Sequence, residues 1–375
     1  MIILGIETSC DETAISMVEA GGDLQNLSFK VLGSALHSQI KLHKEYGGVF
    51  PALAKREHIK NLPIVYKQAL ENANISENKI EMIAVTVGPG LEPALWTGIK
   101  FAEELGKRCG KLVIPTNHMV GHIASVLFHK TDENSKSEAP NPKLSFPALA
   151  LLISGGHTEL VLLNSWVDKK KIGETQDDAV GEAFDKVARM IGLPYPGGPG
   201  ISRLAEEARE KKVHLETRFP RPMLHSGDLN FSFSGLKTAV LYYLRKEEKS
   251  VMERTSGAKQ GQESGMTDFS ELQMEVAREF EDAVIDTLLS KTKAAIEKYL
   301  PKTLIIGGGV IANKALRENF LQLKTSYPDL EILIPEKELT TDNAVMIAAA
   351  GYIKYLEGTT KMPQSLEAEG HLDIQ

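Results

Sequence analysis

The sequence predicts an α/β protein made of two similarly built halves. Short apolar runs of strand length alternate along the chain with segments of helical period. The opening order of strand, polar turn and strand over residues 2–18 returns over 148–163, where an apolar run, the turn Gly155-Gly156-His157-Thr158 and a second apolar run follow one another. The chain has 375 residues, 42% of them hydrophobic and 25% charged, enough to bury two cores.

Residues 2–6 form an apolar run ending in Glu7-Thr8-Ser9, and 13–18 a second. The start therefore reads as a strand hairpin and not as a signal peptide, since it lacks a basic stretch and a small-residue cleavage site. Residues 83–87 read as a buried strand stopped by Gly88-Pro89-Gly90. Over 94–109, Leu95, Ile99, Ala102 and Leu105 recur on one helical face. A strand at 112–115 then leads into a helix carrying His118 and His122. Residues 129–146 are polar and aperiodic, and read as a linker loop. The second unit starts at Pro147, with strands over 148–154 and 159–163. Residues 245–270, charged and rich in serine and glycine, read as a mobile insertion. A long amphipathic helix follows over 269–299. A strand at 303–306 enters Gly307-Gly308-Gly309, then come a helix at 312–323, a strand at 332–334 and a helix of small apolar residues at 342–356. The tail from Glu357 reads as frayed.

Composition excludes several classes. No apolar run of about 18 residues occurs, so no membrane-spanning helix is expected. Two cysteines, Cys10 and Cys109, argue for a reducing, cytoplasmic setting without a disulfide scaffold. A net charge of −7 means that contact with RNA needs a local basic patch or a partner. Lys55, Arg56 and Lys60, beside His58 on one predicted helix, are such a patch or a solvated face. Phe231 and Phe233 read as packing residues.

Two features carry chemistry. His118 and His122 lie one helical turn apart, where one cation takes both imidazoles. The turns Ser154-Gly155-Gly156, Gly197-Gly198 and Gly307-Gly308-Gly309 are of the kind that lets backbone N–H groups approach phosphates. Asp342, just before the last helix, has the character of an N-cap, and Asp185 that of a helical salt-bridge partner of Lys186 or Arg189. Asp11 and Glu12 are adjacent acids in the first turn.

The chain resembles the tRNA N6-adenosine threonylcarbamoyltransferases of the bacterial TsaD type, once labelled glycoproteases. The matching segments are Gly5-Ile-Glu-Thr-Ser-Cys-Asp-Glu-Thr13, His118-Met-Val-Gly-His122, Leu152-Ile-Ser-Gly-Gly-His-Thr158, Asp178-Ala-Val-Gly-Glu-Ala-Phe-Asp-Lys186, Tyr195-Pro-Gly-Gly-Pro199, Phe231-Ser-Phe-Ser-Gly-Leu-Lys237, Gly308-Gly-Val-Ile-Ala-Asn313 and Thr341-Asp-Asn-Ala344, in order over nearly the whole chain. It departs from the family pattern at Asn117 and Val120, where His and Glu are common, and at Glu92, Pro93 and Trp96.

The resemblance implies the two-lobed actin-like ATPase fold, two duplicated RNase H-like domains around a cleft. One lobe would comprise 1–128 with 343–375, the other 147–342. It implies transfer of a threonylcarbamoyl group from threonylcarbamoyl-AMP to N6 of adenosine 37 in tRNAs that read A-starting codons. His118, His122 and Asp342 would then hold one zinc or iron(II). Leu152, Ile153, Ser154, Gly155, Gly156, Asp185, Gly198, Ser202 and Asn313 would hold the adenylate, and Asp11 and Glu12 would orient the amine or take its proton. Implied partners, besides tRNA, are a paralogous actin-like subunit and a small P-loop ATPase. An ATPase or kinase of the same fold is the alternative; it needs magnesium and no histidine pair. A metalloprotease would carry Glu directly after its first His, where this chain has Met119. A non-catalytic scaffold would not need the full set of ligands and turns.

Overall fold

A computed structural model describes residues 1–128, 142–257, 269–358 and 365–374. Strands β1 (Ile2–Glu7), β2 (Glu12–Gly21), β3 (Ser28–Ser38), β4 (Met82–Gly88) and β5 (Leu112–Asn117) form one sheet in the order β3-β2-β1-β4-β5. Strands β6 (Ala148–Ile153), β7 (Thr158–Leu163), β8 (Lys169–Glu174), β9 (Thr303–Gly307) and β10 (Glu331–Leu333) form a second, in the order β10-β9-β6-β7-β8. Read from the other edge, the second order is the first repeated. In each sheet the first three strands are antiparallel and the last two join in parallel. The repeat suggested by two hairpins thus extends to all five strands.

In the first half, α1 (Ile40–His43), α2 (Pro51–Ala73), α3 (Glu92–Cys109) and α4 (His118–Ala124) connect or follow the strands. In the second, α5 (Val180–Met190), α6 (Gly198–Glu210), α7 (Ser234–Gly257) and α8 (Phe269–Tyr299) lie between β8 and β9. Helices α9 (Lys314–Leu321) and α10 (Leu323–Ser326) precede β10, and α11 (Ala344–Leu356) follows it. Pro93 in the first turn and left-handed Gly110 at the end bound α3, whose Leu95, Ile99, Ala102 and Leu105 are all buried, as their spacing predicts.

Period-two alternation sorts the strands between three cores. Leu4, Ile6, Ile15 and Met17 face α2 and α3. Ile3, Val18 and Met82 face the opposite way, onto α4 and α11. From the second sheet, Ala148, Ala150, Leu152, Val161 and Ile305 join that same core. Leu149, Leu151, Ile153 and Ile306 point outward to α5, α6 and α8. Helices α4 and α11 are therefore packed between the two sheets. The approach of α11 to β1 needs Gly5, because a Cβ there would lie 2.1 Å from the Ala344 carbonyl oxygen.

Three sequence expectations change. Residues 245–257 of the expected insertion continue α7, and 269–270 open α8; the remainder, 258–268, lies outside the described residues. Its Arg, Lys and Glu are good helix formers, so charge there is compatible with helix. Of the expected linker, 129–141 lies outside the described residues, while Leu144 and Phe146 pack on the central core. The tail is docked over 365–374. Leu366 and Ile374 are buried, the Glu369 N–H donates to the Val87 carbonyl at 2.8 Å, and the Gly370 carbonyl accepts from Gly90 N–H at 3.1 Å.

Gly5→Ala is expected to cost about 1–3 kcal/mol of stability by overpacking, read as a lower urea midpoint. Gly155→Ala, where an added Cβ meets nothing within 4 Å, should stay within about 0.5 kcal/mol of the parent. Equal midpoints for the two variants would contradict the close approach of α11 to β1.

Candidate metal centre and nucleotide cleft

Helix α4 starts at His118 because Asn117 caps it, its side-chain oxygen accepting from the N–H groups of Met119 at 2.8 Å and Val120 at 3.3 Å. The departure at Asn117 is thus a helix cap. His118 and His122 follow one turn apart, ring centroids 4.6 Å apart and planes crossed at 85°. At the start of α11 the cap is Asn343, which accepts from Met346 N–H at 3.0 Å. Asp342 is relieved of the capping role its position suggested. Its Oδ1 lies 3.3 Å from Nε2 of both histidines.

One ligand atom from each of these three residues lies within 4.8 Å of the others. Both ring nitrogens of His122 are buried, and neither makes a well-aligned hydrogen bond although Nε2 approaches Asp342. Two imidazole nitrogens and a carboxylate oxygen aimed at one point fit a divalent cation such as zinc or iron(II).

A support for this triad escaped the sequence reading. Glu7, fully buried at the end of β1, stands 3.0 Å from His118 Nδ1 and accepts from Thr86 Oγ1 at 2.6 Å. With Glu7 accepting from Nδ1–H, His118 presents the Nε2 lone pair to the centre. Burial alone would raise the Glu7 carboxyl; His118 outweighs it and holds Glu7 below its ordinary range. Burial opposes charge on His118, but Asp342 and Glu7 overcome it and hold its imidazole well above the usual value. The pull that favours a proton there favours a cation equally. Burial would likewise raise Asp342, and the two histidines keep it far below the usual carboxylate range. His157, quoted in a motif but given no role, is pushed down to about 4 by burial, with the charges of His118 and His122 adding to the effect.

Asp11 closes the β1–β2 turn and Glu12 opens β2. Asp11 is 6% exposed and its Oδ2 has no hydrogen-bond partner. Burial and the adjacent Asp11 push the Glu12 carboxyl well above its ordinary range, and its Oε1 accepts from Ser38 Oγ at 3.2 Å. His58 braces this turn from α2. It is fully buried, Nδ1 lying 2.8 Å from Thr13 Oγ1 and Nε2 3.0 Å from the Cys10 carbonyl. It does not belong with the exposed Lys55, Arg56 and Lys60, the last of which pairs with Glu57 at 3.3 Å.

Leu152 and Ile153 are buried in β6, so only their backbone is available to a ligand. The turn after them is closed by Ser154 N–H donating to the His157 carbonyl at 2.9 Å, and leaves Gly155 and Gly156 exposed. The N-terminus of α5 abuts it, Gly181 N–H reaching the Ser154 carbonyl at 3.2 Å. Gly308, at φ +94°, presses on the Ile153 carbonyl, 2.3 Å from where its Cβ would be. A side chain at Gly308 would therefore break the join between strands before it met any ligand. Asp185 has neither Lys186 nor Arg189 as an ion-pair partner; it accepts from Gly197 N–H at 2.6 Å and so ties α5 to the start of α6, where Gly198 and Ser202 are half-buried. Burial raises its carboxyl despite that bond. Asn313 commits both ends of its amide, capping α9 through Leu316 N–H at 2.9 Å and donating to Glu281 Oε1 at 2.5 Å. Phe231 and Phe233 are fully buried.

The family model described as tRNA N6-adenosine threonylcarbamoyltransferase, TsaD, matches residues 30–349. A protein of that name from Thermosipho africanus is 42% identical over 374 residues, covering all of both chains. One from Listeria welshimeri is 41% identical over 358 residues, 95% of this chain and 92% of its own. Among solved structures, full-length HypF in its phosphate- and nucleotide-bound form superposes with a TM-score of 0.51 at 13% identity, over 96% of this chain and 47% of that one. That likeness bears on the fold alone, which is the two-lobed actin-like α/β fold. With a family match spanning most of the chain and relatives above 40% identity end to end, the chain belongs to the tRNA N6-adenosine threonylcarbamoyltransferase family.

Proposed function

We propose that this chain carries out its family's transfer between α4, α11 and the Ser154–His157 turn, with threonylcarbamoyl-AMP as donor and N6 of adenosine 37 in tRNA as acceptor. The single observation that carries this placement is the convergence of His118, His122 and Asp342 against the end of β6, where a Cβ at Gly307 would lie 2.9 Å from the His122 carbonyl and 3.2 Å from the Leu152 side chain. Bound to those three ligands, zinc or iron(II) supplies Lewis acidity toward the donor's oxygens. Glu7 fixes His118 from behind. Exposed backbone at Gly155 and Gly156, with the N-terminus of α5, receives phosphate, while Asp185, Gly198, Ser202 and Asn313 border the nucleoside.

The exocyclic amine of adenine is a weak nucleophile, so position matters more than basicity. N6 attacks the carbamoyl carbon, the bond from that carbon to the phosphate oxygen breaks, and AMP leaves with the electron pair. Asp11, with a buried and unpartnered Oδ2, takes the amine proton, and Glu12 orients the amine. We assign the lobes to 1–128 with 343–375 and to 147–342. We also assign the chain to the cytoplasm, with a paralogous actin-like subunit and a small P-loop ATPase as partners. Among the described residues no helix is long and apolar enough to cross a membrane.

Nucleoside mass spectrometry tests the reaction. The chain, its partners, an adenylate-forming enzyme, threonine, bicarbonate, ATP and unmodified tRNA should yield threonylcarbamoyladenosine, and Gly155→Val should suppress it by weakening donor binding. No product despite a proven supply of adenylate would overturn the proposal. For the metal, His118→Ala combined with His122→Ala should strip it from the purified protein. Glu7→Gln should keep the ligands yet lower affinity about 10- to 100-fold in chelator competition. Unchanged affinity would remove Glu7 from this role. Given its net charge of −7, the isolated chain should bind tRNA weakly at physiological salt, where attraction fades beyond about 8 Å, and more tightly once partners are added. Equal affinity in both states would show that the charge argument is wrong.

A further inference from the structure

A cavity of about 370 Å³ opens between the halves, lined on one side by Lys44, Tyr46 and Gly47 and on the other by Asp185, Arg189 and Tyr195. Arg189 donates to the Gly47 carbonyl and bridges its walls. At its rim the rings of Tyr46 and Phe50 are stacked, 5.7 Å apart and 17° from parallel, though 62% and 51% exposed. Lys41 and Lys44 are exposed nearby, and neither has an acidic partner among the described residues. Glu45 and Asp185 are the acids of the lining, and Asp185 is tied to Gly197. Asp11 and Asp185 both act on the Tyr195 hydroxyl, which burial and these carboxylates push well above its ordinary range. The cavity wall and the proposed proton acceptor thus share one neighbourhood.

Enzymes that modify a base take it out of its stack, and single-stranded RNA is held by aromatic faces flanked by cations. Resting on the transfer reaction proposed above, we propose that this cavity receives a nucleotide of a single-stranded RNA loop, the acceptor adenosine, with Tyr46 as the stacking platform and Lys44 and Arg189 toward its phosphates. The lining matches Lys44 and Arg189 with Glu45 and Asp185, and a concave opening of this size beside the exposed Tyr46 ring suits one unstacked nucleotide better than the flat apolar face of a protein.

The test uses the full chain at low salt and an anticodon stem-loop RNA carrying 8-azidoadenosine at the acceptor position. Photocrosslinks should map to Tyr46, Tyr195 or their immediate neighbours; crosslinks confined to other surfaces would overturn the proposal. Tyr46→Ala should weaken stem-loop binding by at least about five-fold, and Tyr46→Phe should restore it. Lys44→Glu should make the dependence of log affinity on log salt shallower by about one unit. Adenylate affinity and metal content should stay at parent values. If Tyr46→Ala and Lys44→Glu bind the stem-loop as the parent does but fail to assemble with partner proteins, the surface is a protein-docking site and the proposal is wrong. Binding and crosslinking are read without turnover. Absence of threonylcarbamoyladenosine would therefore count against the reaction, and a misplaced crosslink against the cavity.

Discussion

Helix α11 lies against β1 at backbone distance, and the geometry of the centre follows from that contact. Without a side chain at Gly5, the Ala344 carbonyl closes onto the strand. The first turn of α11 is thereby set, and with it Asp342, two residues earlier. Gly121 does the same for α4, its missing Cβ leaving room for Met346 and Ile347 of α11 at about 3 Å. Two helices drawn from distant parts of the sequence are thus locked against each other and against one sheet. Three ligand atoms converge because their backbones have no freedom to do otherwise.

Much of this was legible in the sequence. Buried strands such as β4 and β6 are continuous apolar runs, α3 shows its period, and the hairpin repeat announced the duplication. Strands β3 and β8 were missed because these two edges, unlike the edges β5 and β10, carry no apolar run. The exposed positions of β3 and the Lys169-Lys170-Lys171 run of β8 suit a border that must not pair with another chain, and their patterns do not look apolar. Spacing found the histidine pair. Asp342 needed the family resemblance, because a carboxylate before a helix has a common structural use, which here falls to Asn343. Glu7 and His58 were invisible because their roles depend on burial and on partners 111 and 45 positions away in the chain.

The cleft concentrates negative charge. Glu7, Asp11 and Asp342 bear on it, while burial and Asp11 push Glu12 toward its neutral form, and burial works against every charge placed there. A cation at the histidine pair would offset that cost. The same acids repel RNA phosphates from the depth of the cleft, so a polyanionic substrate has to be held at the rim while one base reaches inward. Lys44 and Arg189 line the opening where that division of labour requires them.

The central core has a consequence for how the molecule comes apart. Ile3 and Met82 from one sheet and Leu152, Val161 and Ile305 from the other share a single apolar interior with α4 and α11. Neither half has a private inner face to fall back on. Loss of either sheet would bare the other to water, so the halves should melt in one cooperative transition despite their repeated topology. Duplication at the level of strand order need not produce two independently folding units, and a fragment containing one sheet alone would present its half of that interior as an aggregation surface.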